Sequence, residues 1–338
     1  MKKKVLALIL SITACLGVAT GYNPYVSAES TAEEVINGEY GILEYAQVGD
    51  TSIIIKGYTS IPESGTIEIP ETINGIPVTS IGSAAFEMST KLKTITLPDT
   101  ITSIASRAFY NSGITSIVIP KGVTKIEHGT FEMARLNSVV FNENLKEIDS
   151  FAFDWCPLKE LNLPDGIEKI GNNAFSNTHI ESIVIPESVT YLSPSAFIGC
   201  YNLKFITLPE NLIEVYSYSS FTSCSNEDKV VLKGYKDSKC FDFAKENGIK
   251  FMYINDGIEY MLGDYDGNTE IDAADASAIL TTFSLLQTGN ENKLTDSQKK
   301  ACDIDGDGII NAADASTVLA YYSYSQTGGE SIFEAFLD

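Results

Sequence analysis

From Thr66 to about Tyr253 the apolar residues recur in a unit of about 22 residues, a period too long for one helix or strand. Phenylalanine stands at Phe86, Phe109, Phe131, Phe153, Phe175, Phe197 and Phe221. Five residues before each of the first six lies an aliphatic residue, Ile81, Ile104, Ile126, Ile148, Ile170 or Leu192, and in the seventh unit Val215 lies one residue further off. A prolyl turn recurs at Pro70, Pro98, Pro120, Pro164, Pro186 and Pro209, with Asn142 in its place once. Written out, the unit at 167–186 predicts a short strand ending at Ile170, a helical turn carrying Phe175, and a second strand in which residues alternate inward and outward. One such unit cannot bury its own apolar side. Stacked at a strand spacing of ~4.8 Å, successive units merge their Ile, Leu and Phe columns into one core. The pattern therefore predicts a β-rich solenoid of about seven rungs over residues 66–254, with residues 29–65, where Tyr40 to Tyr58 alternate, forming a hairpin cap on its exposed edge.

The motif Ile-Gly-Asn-Asn-Ala-Phe at 170–175 and its counterparts resemble the BspA-like, type 5 class of bacterial leucine-rich repeats. The resemblance runs from Thr66 to Tyr253. It implies an opening rung at Ile73-Asn74-Gly75-Ile76-Pro77-Val78 and a closing helix and strand between Cys240 and Phe251.

After a short linker at 255–258 the composition changes, and two acidic segments repeat with an offset of 39 residues, from Asp264 to Asp303. The first places Asp264, Asp266, Asn268, Asp272 and Asp275 at loop positions 1, 3, 5, 9 and 12; the second places Asp303, Asp305, Asp307, Asn311 and Asp314 there. Oxygen side chains at that spacing wrap a hard cation, with the position-7 backbone carbonyls of Glu270 and Ile309 completing each shell, so two calcium ions are expected. Ile271 and Ile310 at position 8 anchor each loop to a core. Position 6 is Gly308 in the second loop but Thr269 in the first, so the first site is expected to be the weaker.

A duplicated loop and helix ending its loop in Asp resembles a dockerin, here over residues 259–328 with a tail at 329–338. That resemblance implies a cohesin of a scaffoldin as partner. It assigns the contacts to Ala273, Ala274, Leu280, Thr281 and Leu285 in the first copy and to Ala312, Ala313, Leu319, Ala320 and Tyr324 in the second. Both copies read Asp-Ala-Ser after the last ligand, which allows docking in two orientations. Ile279, Phe283, Val318 and Tyr322 fall on the helical spacing of core residues. The apolar tail, Ile332 to Leu337, is expected to clasp Tyr260.

At the other end, Lys2-Lys3-Lys4, an apolar run from Val5 to about Ala19 and the small-residue site Val26-Ser27-Ala28 read as a secretory signal over residues 1–28. The run is shorter than the ~20 residues that span a bilayer, so no membrane insertion is expected. Ile12-Thr13-Ala14-Cys15 resembles a lipobox, but the apolar run continues past Cys15. The chain carries 45 acidic against 23 basic residues, which disfavours nucleic acid as a partner. Five cysteines beyond the signal, without tight spacing, argue against a disulfide framework.

No group of residues converges on catalytic chemistry. His128 and His179 fall in different columns of the repeat, and Cys156, Cys200 and Cys224 each follow a ladder phenylalanine by three residues, as packing residues do. The residues after each prolyl turn, from Glu71 to Glu210 with Lys121 as an interruption, match turn chemistry. The outward row Thr96, Val118, Val140, Asn162, Val184 and Thr207 is the candidate ligand face, and Trp155, two residues after Phe153, is an isolated aromatic of the kind that stacks on sugar. The expectation is a secreted, non-catalytic protein held at the cell surface in a cellulosome-type complex, its repeats binding a protein or glycan. The alternative is a polysaccharide-degrading glycoside hydrolase or lyase of the same complex.

Overall fold

The computed structural model describes residues 35–210, 230–236, 238–288, 294–329 and 333–337. The signal segment, Val215, Phe221 and Cys224 lie outside them. Within the described residues the repeat forms a solenoid whose rungs contribute two columns of short parallel strands. One column pairs Lys125–Ile126, Glu147–Ile148, Lys169–Ile170 and Tyr191–Leu192 in register. The other includes Ser116–Val118 with Ser138–Val140, and then Ser182–Val184, Phe205–Thr207, Val231–Gly234 and Phe251–Asn255. Alternation decides the faces: Ile117 and Ile183 are buried while Val118 and Val184 are exposed.

The predicted helical turn takes a particular form. Ala85, Glu87 and Ser89 donate their N–H groups three residues back, while Ala84, Phe86 and Met88 donate to Ser106, Ala108 and Tyr110 of the next rung. Alternate amides thus close the turn and tie the rungs together, so each of these N–H groups has a partner. The residues two before and two after each ladder phenylalanine from Phe86 to Phe175, such as Asn173 and Asn177, take left-handed backbone.

The phenylalanines stack face to face, from Phe86 on Phe109 at 5.4 Å to Phe175 on Phe197 at 5.8 Å. The column begins one rung earlier than its phenylalanine signature, because Tyr58 stacks on Phe86 at 5.7 Å. Asn142, which replaces the turn proline once, is buried and donates to the carbonyls of Pro120 and Val123, both at 2.8 Å, so the turn is bridged where no ring stiffens it.

The N-terminal cap contains the expected hairpin, Leu43–Val48 with Ser52–Tyr58, and Val35–Tyr40 extends it to a three-stranded antiparallel meander. Its last strand pairs in parallel with Ile76–Ile81, so the cap continues the solenoid. At the far end Ser238 caps helix α1, Lys239–Glu246, by accepting from the Phe241 N–H, and α1 leads into the last parallel strand.

The expected linker at 255–258 is instead a tight turn. Asp256 and Gly257, at φ 53° and 75°, join Phe251–Asn255 to an antiparallel strand, Ile258–Tyr260, on the same sheet. The acidic module follows from that strand without a spacer. It contains α2 (Ala273–Gln287), α3 (Asp296–Cys302), α4 (Ala312–Gln326) and the short tail helix α5 (Phe333–Phe336). No helix among the described residues is long and apolar enough to cross a membrane.

Candidate functional site

Both acidic loops are organised around their first carboxylate. In the first loop Asp264 is buried and its Oδ1 accepts from the Gly267 and Asn268 amides, while Oδ2 accepts from Thr269. At the far end of the loop Asp275 Oδ1 accepts from the Tyr265 N–H at 2.9 Å and Oδ2 from the Asp272 N–H at 2.8 Å. Asp272 in turn caps α2 through the Ala274 amide. The second loop repeats these contacts: Asp314 accepts from Ile304 and Asn311, Asn311 caps α4 through Ala313, and Asp303 Oδ2 accepts from Gly308. Loop closure and helix start therefore share residues, so each loop can order only together with its helix.

Carboxylate oxygens of Asp264, Asp266 and Asp275 lie within 4.8 Å of one another, and so do those of Asp303, Asp305 and Asp307. Burial raises the Asp264 and Asp275 carboxyls above the usual carboxylate range. In the second loop Asp303 Oδ1 is buried with no hydrogen-bond partner. Asn268 and Glu270 are exposed, and the Glu270 carboxylate is paired with Lys250 of the solenoid. The residues thus fit a hard cation: oxygen donors only, uncompensated negative charge, and one oxygen without a partner.

Ile279 and Val318 meet in the module's core with Cys302 and Phe333. The expected core pair Phe283 and Tyr322 is only half-buried; Thr282 is buried, and Tyr321, itself half-buried, packs against the core. Of the residues carried over as cohesin contacts, Ala273, Ala274, Leu280, Thr281, Ala312, Ala313, Leu319 and Ala320 are exposed, and Leu285 is half-buried. Tyr324 differs. Its ring packs 5.3 Å from Phe336 of α5. The tail does clasp the module, but through Phe333 and Phe336 on Tyr321 and through Phe333 against Gly263. Tyr260 stacks on Tyr253 instead.

On the solenoid, Thr96, Val118, Val140, Asn162 and Val184 are exposed and Thr207 is half-buried; Asn162 lies where the strand column is interrupted. Trp155 is 59% exposed at φ 60°. His128 and His179 are exposed on different rungs. Cys156 and Cys200 are buried and donate to the carbonyls of Phe131 and Phe175, and burial raises both thiols above their ordinary range.

Comparison with known proteins follows this division. The profile of the BspA type leucine rich repeat region matches in six copies, over residues 58–180, 124–246 and 168–278. The profile of the dockerin type I domain matches residues 262–321. No curated protein matches the chain. Among solved structures, a leucine rich cell surface protein from Faecalibacterium prausnitzii is 20% identical over 60% of this chain and 71% of its own, with a TM-score of 0.43. A leucine-rich repeat protein from Bacteroides ovatus is 22% identical over 68% of this chain and 56% of its own, with a TM-score of 0.39. The leucine rich repeat protein of T. pallidum is 19% identical over 76% of this chain and 97% of its own, with a TM-score of 0.39. The repeat profile spans well over half of the residues and the second profile falls on both acidic loops: the chain belongs to the BspA-type leucine-rich-repeat family and carries a dockerin type I domain after its repeats.

Proposed function

We propose that the repeat domain presents a binding surface and that the dockerin anchors it, through a cohesin on a scaffoldin, in a secreted cellulosome-type complex at the cell surface. The observation that carries the docking reading is Asp303 Oδ1, buried without a partner beside the Asp305 and Asp307 carboxylates. A buried acceptor left unpaired costs about 1–3 kcal/mol. Calcium would supply the positive charge and the ligand field that these oxygens lack. Asp264, Asp266, Asn268, the Glu270 carbonyl, Asp272 and Asp275 would hold one ion. Asp303, Asp305, Asp307, the Ile309 carbonyl, Asn311 and Asp314 would hold a second.

With the loops ordered, Asp272 and Asn311 hold the starts of α2 and α4, and the exposed Ala273, Ala274, Leu280 and Thr281 with Ala312, Ala313, Leu319 and Ala320 form apolar faces for a cohesin. The repeats offer an extended face, which suits a protein ligand better than catalysis on a glycan. Val118, Val140 and Val184, at 64%, 57% and 63% exposure, are its centre. The two matching profiles cover residues 58–278 and 262–321 and neither is a catalytic domain, which supports a non-catalytic role over a glycoside hydrolase or lyase.

Calorimetric titration of the chelated full chain with calcium, followed by circular dichroism, tests the docking half. Uptake of two ions with a gain of helical signal is expected. No uptake overturns it.

A further inference from the structure

We propose that Lys250, a solenoid residue, positions the first calcium loop of the dockerin, giving Thr269 the support that glycine makes unnecessary in the second loop. The inference rests on the calcium reading above and adds to it a part played by the repeat domain.

Both loops need a left-handed residue at their sixth position. Gly308 takes φ 81° without steric cost, whereas Thr269, β-branched, is held at φ 69°. The Thr269 peptide is gripped at both ends. Asp264 Oδ2 accepts its N–H at 2.9 Å, and Lys250 Nζ donates to its carbonyl, also at 2.9 Å. The second loop has a different arrangement: Asn311 Nδ2 donates to the Ile309 carbonyl at 3.1 Å, and the Ile309 side chain is 62% exposed. Asp272, the counterpart of Asn311, has no side-chain N–H to donate. The loop that lacks both the glycine and the amide is the one a lysine reaches.

Lys250 comes from a rigid place. Its own carbonyl accepts from the Leu232 N–H at 2.9 Å, and the next residue, Phe251, is buried in the last parallel strand of the solenoid. The ammonium thus reaches the loop from a different domain. A bare positive charge beside a calcium site would weaken it, but the Glu270 carboxylate pairs with this one, so its net field is small. What remains is preorganisation: the loop holds its turn before the ion arrives.

The test uses the full chain with Asp305→Ala to silence the second site, calcium titration by calorimetry, and amide exchange at Thr269 and Glu270 in chelator. Lys250→Met should weaken the first site roughly tenfold, the factor one charge-assisted hydrogen bond is worth. It should also speed exchange in the calcium-free loop. Lys250→Arg should keep most of the affinity, and adding Thr269→Gly to Lys250→Met should restore it. With Asp305 intact, the second site of Lys250→Met should be unchanged, which separates this effect from general unfolding. Unchanged or tighter binding at the first site in Lys250→Met, or no rescue by Thr269→Gly, overturns the proposal while leaving the calcium reading standing. No calcium uptake by the parent chain overturns both.

Discussion

Tyr253 on the last parallel strand of the solenoid stacks on Tyr260, the first aromatic of the dockerin, with ring centroids 5.2 Å apart. Beside this pair Lys233 of the solenoid pairs with Glu259, and within the dockerin Ser297 Oγ donates to the Glu259 carbonyl at 2.8 Å and the Lys300 ammonium lies 5.8 Å from the Tyr260 ring. A tyrosine pair is worth about 0.5–1.5 kcal/mol beyond its burial. Tyr260→Ala should therefore loosen the joint. In scanning calorimetry with calcium, the dockerin transition should move away from that of the repeats; coincident transitions in parent and variant would show that the stack does not couple them.

The ladder makes a graded prediction. Phe175 is fully buried, 5.5 Å from Phe153 and 5.8 Å from Phe197, so Phe175→Ala opens a cavity inside the stack. The cost should be about 3–5 kcal/mol in the denaturant midpoint of the repeat domain. Tyr58→Ala, at the end of the column, has a stacked neighbour on one side and a half-exposed ring, and should shift the midpoint less. An equal shift would mean that the column is not a stack of independent neighbours.

The two docking copies are not equivalent in this chain. Leu280 and Leu319 are 49% and 52% exposed, but the second copy's Tyr324 ring packs 5.3 Å from Phe336 of the tail helix. Leu280→Asp with Leu285→Asp should cost more cohesin affinity, measured by surface plasmon resonance, than Leu319→Asp with Tyr324→Asp. Deleting residues 329–338 should narrow that difference. It should also lower the calcium-loaded melting temperature by the few degrees that ~1–2 kcal/mol implies for a small domain. Equal losses in the intact chain would favour docking in two orientations.

The thiols report on both cores. Burial pushes Cys240 up to about 11 and Cys302 up to about 12, so neither should react with iodoacetamide at neutral pH in the calcium-loaded protein. Chelation should expose Cys302 alone, as the dockerin core opens and the solenoid stays folded. The sign with pH is fixed: the folded state keeps these protons above the ordinary thiol value of 9.0, so stability falls as pH rises from there towards 11 and 12. Rapid labelling of Cys302 with calcium bound would show that its core is open.

Much of this was legible in the order of residues, because it depends on local period and local chemistry. A repeat of about 22 residues admits one way of burying Ile126, Phe131 and their counterparts, and carboxylates at fixed loop positions close their own turns whatever surrounds them. The cap and the joint were not legible. Tyr58 joins the aromatic column only because the strand Ser52–Tyr58 pairs with Ile76–Ile81, a parallel contact with no short-range signature. Asp256-Gly257 read as the end of a linker, since a turn becomes a hairpin only if a sheet edge is there to receive the returning strand. Tyr321, and not Tyr322, packs on the core, where it meets the Phe333 ring of the tail edge-on, a contact between separate elements that helical spacing does not carry. Lys250 shows the division most plainly. In sequence it is an unremarked lysine before a strand; its ammonium meets Thr269 only because the last strand of the solenoid and the first loop of the dockerin leave the same sheet side by side. Periodicity and ligand spacing are carried by the chain itself, whereas contacts between separate elements depend on where the whole fold places them.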